Sequence, residues 1–157
     1  MSSIVNASTS KKDSIWYRPI PNNCENAETF IPPVEYGRVI KCYDGDTITI
    51  ASYLPLPESP LYKFSVRLDG IDCPEIRGKN ESEKECAKLA QKFVEDKLLG
   101  NIVKLENVKL EKYGRLLADV IFEGSSICDE LVANKLAVKY DGGTKNVPED
   151  WMHYHVT

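Results

Sequence analysis

The chain has 157 residues, 42% of them hydrophobic and 28% charged, which suits one globular domain with a possible extension. These figures exclude a collagen-like, coiled-coil or wholly disordered chain, and no apolar run approaches the roughly 20 residues of a membrane span. The net charge of −4, taken alone, argues against a polyanion-binding protein.

Residues 1–34 are rich in Ser, Asn and Pro, and Pro19, Pro21, Pro32 and Pro33 oppose a regular helix or central strand there. This stretch is expected to be a partly disordered extension of a domain at residues 35–157. Trp16, Tyr17, Ile20, Phe30 and Ile31 could dock part of it on the body. No basic segment followed by an apolar one opens the chain, so an intracellular, cytoplasmic location is expected. The sequons Asn6-Ala-Ser8 and Asn80-Glu-Ser82 are then chance matches. The five cysteines, Cys24, Cys42, Cys73, Cys86 and Cys128, are odd in number and form no C-x-x-C pair. They read as free thiols acting as small apolar residues.

Regular periodicity starts at Tyr36. Gly37–Cys42 reads as a strand, Asp44-Gly45 as a turn and the alternating Thr47–Ala51 as its hairpin partner. A Pro-rich loop follows, and then a third strand, Tyr62–Leu68. The period then changes. Cys86, Leu89, Ala90, Phe93, Val94 and Leu98 recur at helical spacing. Asn80 or Ser82 can cap this helix, Ser82 with Glu85 as a capping box, and Gly100 can stop it. Ile102–Leu110 and Leu116–Phe122 read as strands joined by the turn Lys112-Tyr-Gly-Arg115. Ser125 or Ser126 caps a second helix to about Lys135, with Cys128, Leu131 and Val132 inward. A short strand at Ala137–Tyr140 and one or two helical turns within Pro148–Tyr154 complete the chain. Short strands with a meander at one end predict a small barrel flanked by helices, an α+β arrangement.

Three clusters carry chemistry: Asp44-Gly-Asp46-Thr47, Arg67-Leu-Asp-Gly-Ile-Asp72-Cys-Pro-Glu75, and Lys112-Tyr-Gly-Arg115. Each alone has a plain structural reading, as a turn, a loop start and a solvated turn residue. Hairpin tips and strand ends gather at one mouth of a barrel, however. There Asp46 and Asp72 would offer hard oxygen donors, suited to Ca²⁺ or Mg²⁺ rather than zinc. Glu75, three residues past Asp72, could reach a water without sharing the metal. Arg67 and Arg115 could fork onto a phosphate. Metal, base and two guanidinium groups are the parts that phosphodiester hydrolysis needs.

The segments Val39–Thr47, Val66–Glu75 and Lys112–Ala118, in this order, resemble the staphylococcal nuclease (thermonuclease) family. Asp129–Ala137 resembles the family's second helix and its exit, and the resemblance covers about residues 36–145. It implies a five-stranded OB-fold barrel with two to three flanking helices. It also implies Ca²⁺-dependent cleavage of DNA and RNA at the 5′ P–O bond, leaving 3′-phosphate ends, by a chain that is expected to be a monomer. By the same resemblance Asp46, Asp72 and the Cys73 backbone carbonyl hold the calcium ion, with Asp44 an acid close behind. Cys73 stands where the family usually has Thr. Glu75 matches the general base, and Arg67 and Arg115 match the arginines on the scissile phosphate. Lys112 and Tyr113 match residues beside the 5′ phosphate. Tyr140 is the best match to a tyrosine flanking the bound base.

The chain departs from the type enzyme in three respects. It is acidic, its loop after Glu75 looks shorter, and its third helix looks cut short. Residues 1–35 carry −1 and residues 36–157 carry −3, so the acidity belongs to the domain. Weak electrostatic capture of long polyanions follows, because counterion release scales with basic contacts. The alternative from another class is a catalytically inactive OB-fold module that binds nucleic acid or a protein partner. The presence of both arginines, both metal aspartates and Glu75 favours the enzyme. A purely structural calcium domain would leave Arg67 and Arg115 without a role.

Overall fold

The structure is a computed structural model that describes residues 18–157. Residues up to Phe30 and residues Ile31–Thr157 form separate units. In the first, the Ala27 amide donates to the Cys24 carbonyl at 3.0 Å and closes a turn. Ile20, Cys24 and Phe30 are exposed there, so Cys24 does not share the apolar setting expected of the cysteines. The expected disorder at the start of the chain and the docking of Trp16 and Tyr17 lie outside the described residues.

The second unit is a closed five-stranded barrel with three helices, the α+β OB-fold class expected. Strands β1 (Tyr36–Cys42), β2 (Thr47–Tyr53) and β3 (Leu61–Leu68) form an antiparallel meander. Strand β5 (Ile102–Leu110) pairs with β1, and β6 (Leu116–Phe122) pairs with β5. The barrel closes where β6 runs parallel to β3, with Val66, Arg67 and Leu68 opposite Leu116, Leu117 and Ala118. Alternation in β2 and β3 sends Ile48, Ile50, Val66 and Leu68 inward, each fully buried. A register shift between Val39 and Lys41 bends β1, as an extra residue in one strand does.

Helix α1 (Glu81–Leu98) lays Cys86, Ala87, Ala90, Val94 and Leu98 against the barrel. Leu89 is 40% exposed, not inward as the spacing predicted. The four-residue row from Cys86 to Leu98 centres the buried stripe, which places Leu89 on its flank. Asn80 is the cap, accepting from the Glu83 amide at 2.9 Å. Ser82 does not form the capping box. Its hydroxyl donates to Asp150 at 2.5 Å and accepts from the Met152 amide at 3.0 Å. Asp150 caps α3 (Trp151–Val156), whose Trp151 is 2% exposed, so this short helix is anchored to α1.

Helix α2 (Ile127–Ala133) starts at the Ser126 cap. Val132 is only half-buried, and Ile127 fills the core beside Cys128 and Leu131. Two-residue strands at β4 (Ile71–Asp72) and β7 (Ser125–Ser126) are too short to leave a periodic signal. β4 pairs with β8 (Val138–Lys139) outside the main sheet. Four cysteines are buried free thiols, as expected. No helix among the described residues is long and apolar enough to cross a membrane.

Leu98 is fully buried between α1 and the barrel. Leu98→Ala is expected to cost about 2–5 kcal/mol of stability. Urea unfolding would show it as a lower midpoint at unchanged slope.

Candidate active site

The site forms where the β1–β2 tip, the end of β3, β4 and the start of β6 meet. The tip is closed by the Tyr43 amide donating to the Thr47 carbonyl at 2.9 Å. Gln91 on α1 donates to the Cys42 and Tyr43 carbonyls at 3.1 Å each, which locks the tip onto the helix. Gly45 is needed there because a Cβ would lie 2.8 Å from both the Ala90 Cβ and the Cys73 Sγ. That close packing turns Asp46 inward, where it is 8% exposed.

Asp46 is held at both oxygens. Oδ1 accepts from the Thr47 hydroxyl at 3.1 Å, and Oδ2 accepts from the Cys73 amide at 3.1 Å. The register sets Arg67 on β3 opposite Thr47 on β2. Arg67 Nη2 therefore lies 3.1 Å from Asp72 Oδ1 and 3.5 Å from Asp46 Oδ2. Its Nη1 donates to the Leu68 and Ile71 carbonyls at 3.1 and 3.2 Å, which fixes the plane of the guanidinium. Arg115 immediately precedes β6, the strand that closes against β3. Glu111 grips it with two bonds, Nε to Oε1 at 2.5 Å and Nη2 to Oε2 at 3.1 Å. Such a fork holds a guanidinium in one orientation.

Glu75 leaves β4 into a tight loop, and its side chain is 61% exposed. The loop is clamped from α1. The Glu83 carboxylate accepts from the Glu75 amide at 3.2 Å and from the Lys79 amide at 3.0 Å. Gly78 leaves room beneath this clamp, since a Cβ would lie 2.4–2.6 Å from the Glu83 side chain and push it aside. A residue from a distant segment completes the cluster. Lys145 Nζ lies 3.1 Å from Asp72 Oδ1 and 3.4 Å from Glu75 Oε1.

The electrostatics follow from this crowding. Burial, with the Asp46 charge beside it, pushes the Asp44 carboxyl up to about 7. Burial also raises Asp72, and the neighbouring Lys145 and Arg67 only partly offset it. The Cys73 thiol is pushed well up by burial, then by the aspartates, so it is an inert apolar group here. The donor set suits a hard divalent cation. All the acidic groups are oxygen donors, and two of the three aspartates carry raised carboxyls that added positive charge would relieve. Among the described residues no three Asp, Glu, His or Cys side chains form a ready cage. An ion here would therefore also need backbone oxygen and water, which Ca²⁺ accepts readily.

A cleft of about 260 Å³ has Asp44, Asp46, Arg67, Asp72, Glu75 and Arg115 on its walls. Cys73 lies behind that wall, 3% exposed, with its amide on Asp46. Lys112 and Tyr113 sit on the β5–β6 turn, away from the cleft wall. Tyr113 is 75% exposed there, with the Lys112 Nζ 5.0 Å from its ring. Tyr140 is not a wall residue, but its ring lies 5.8 Å from the Arg67 Cζ. Sequence reasoning missed Lys145, Glu111 and Glu83. Only Glu111 had a local signal, an acid four residues before Arg115. Lys145 stands 70 residues from Glu75 in an irregular stretch with no pattern.

The fold and its cleft define an α+β OB-fold protein with a mixed carboxylate and guanidinium site at one mouth of the barrel. Residues 65–153 match the model of the staphylococcal nuclease homologue family, and the chain belongs to that family. A protein of Schizosaccharomyces pombe described as a "probable endonuclease" is 34% identical over 86 residues. The match covers 50% of this chain and 37% of that protein, so the chain spans well under half of the relative's length.

Two outcomes test this geometry. A carboxyl raised in the folded state stabilises the fold fully below its unfolded value near 4, and that contribution is lost as pH rises through about 7. Asp44→Asn is therefore expected to flatten the pH dependence of stability between these limits. Above pH 7 it should add about 1–2 kcal/mol after solvent screening, read by thermal melts in chelating buffer. Glu83→Ala should speed hydrogen exchange at the Glu75 and Lys79 amides by at least about tenfold, with core β-strand amides little changed.

Proposed function

We propose that this chain is a Ca²⁺-dependent nuclease that hydrolyses DNA and RNA at the 5′ P–O bond and leaves 3′-phosphate ends. The observation that carries the reading is the single cleft walled by Asp46, Asp72, Glu75, Arg67 and Arg115. The description of the fission-yeast relative as an endonuclease supports it.

Asp46, Asp72 and the Cys73 carbonyl would hold the ion, with Asp44 adding negative charge behind them. When bound, Ca²⁺ would offset the aspartates and polarise a phosphoryl oxygen. Arg67 and Arg115 meet the non-bridging oxygens and stabilise the charge that grows there in the transition state. Their fixed planes matter, because oriented donors need no reorganisation when the charge appears. Glu75 takes the proton from the attacking water. The new bond joins the water oxygen to phosphorus, the P–O5′ bond breaks, and the 5′-oxygen leaves to be protonated by solvent. The exposed Glu75 carboxylate suits a base that must exchange its proton after each turnover.

Single-stranded DNA is expected to be cut with Ca²⁺ present and left intact with chelator. Glu75→Gln should lower the rate by about 10²–10⁴-fold while Ca²⁺ binding persists. Arg115→Ala should cost about 10²–10³-fold. DNA binding without Ca²⁺-dependent cleavage by the wild-type chain would replace this reading with that of a binding module.

A further inference from the structure

Lys145 lies in the irregular stretch between β8 and α3, and its Nζ reaches the same oxygen, Asp72 Oδ1, that Arg67 Nη2 contacts at 3.1 Å. One buried carboxylate oxygen thus already serves two cations. The two are not equivalent. Arg67 is tied to the Leu68 and Ile71 carbonyls and to Asp46, and its side chain is 14% exposed. Lys145 has a long side chain that is 46% exposed, and among the described residues its only other ionic contact is Glu75 at 3.4 Å. Asp72 cannot move away from either cation, because β4 is paired with β8 and the Asp72 side chain is 5% exposed. If a divalent cation is to gain that oxygen, Lys145 is the group free to leave.

We propose that Lys145 is a tethered competitor for the divalent cation at Asp72, and that it sets the cation concentration at which the site fills. This inference rests on the calcium reading above. An ammonium at hydrogen-bond distance occupies a lone pair of the ligand oxygen and repels an incoming divalent charge at close range. The tether makes the competition intramolecular, so it does not depend on protein concentration. Neither effect extends to a lysine of equal charge placed elsewhere. Lys139 on β8 is exposed and lies off the cleft wall, which makes it the matched control.

The experiment is a Ca²⁺ titration by calorimetry of the full chain, comparing wild type with Lys145→Met, Lys145→Gln and Lys139→Met at one pH and salt. Thermal melts in chelator confirm that each variant is folded, and melts in added Ca²⁺ give an independent measure of binding. Both Lys145 variants are expected to bind Ca²⁺ about tenfold or more tightly than wild type. Their melting temperatures should rise further with added Ca²⁺, while Lys139→Met stays within about twofold of wild type. Unchanged or weaker affinity in the Lys145 variants overturns the proposal and leaves the calcium reading standing. So does an equal gain in Lys139→Met. Absence of Ca²⁺ binding in wild type and variants alike overturns the calcium reading and this inference with it.

Discussion

The parallel pairing of β6 with β3 is the constraint on which the site depends. Without it the sheet would stay open, with Arg67 on the β3 edge and Arg115 at the start of β6 toward the other. Three residue pairs, Val66 to Leu68 against Leu116 to Ala118, close the barrel and bring both arginines to one cleft. The closure is held from inside by Val66, Leu68, Leu116 and Ala118, none more than 2% exposed. Burial of apolar surface in the core therefore determines the spacing of charged groups at the rim.

The rim accumulates like charge and then manages it. Asp44, Asp46 and Asp72 crowd into partly desolvated positions, which is costly unless each is paired. Hydrogen bonds from Thr47 and the Cys73 amide, and the fixed guanidinium of Arg67, meet part of that cost. The raised Asp44 and Asp72 carboxyls show that the compensation is incomplete. Active sites commonly keep such an imbalance, because a fully neutralised cluster has little left to offer a cation or a transition state. The overall charge of −4 takes on a different meaning in this light. On the proposed nuclease reading, recognition would rest on a few oriented guanidinium groups rather than on a basic surface.

Supporting residues do as much as those that face the cleft. Glu111 holds Arg115, Glu83 holds the loop that carries Glu75, and Gln91 holds the tip that carries Asp44. Two of the three stand on α1, so the long helix is a brace for the site as well as a wall of the core. Ser82 extends that brace to α3 through Asp150, which lets so short a helix keep its place. The Gln91 and Ser82 contacts join residues far apart in the chain, and no periodic pattern reports them.

The sequence by itself determined the order and type of the long elements. Alternation in Thr47–Ala51 and Tyr62–Leu68, and the helical spacing from Cys86 to Leu98, are local properties set by which face must be buried. It also named the cleft residues Asp44, Asp46, Arg67, Asp72, Glu75 and Arg115, because they sit at turns and strand ends that a barrel gathers at one mouth. Only the tertiary structure decided the two-residue pairing of β4 with β8, the exposure of Leu89 and the choice of Asn80 over Ser82 as cap. It alone brought Lys145 onto Asp72. Apart from Leu89, which lies on the flank of the buried stripe, each of these turns on a partner distant in sequence, and a chain read in one dimension carries periodicity but not the identity of the group that will lie opposite.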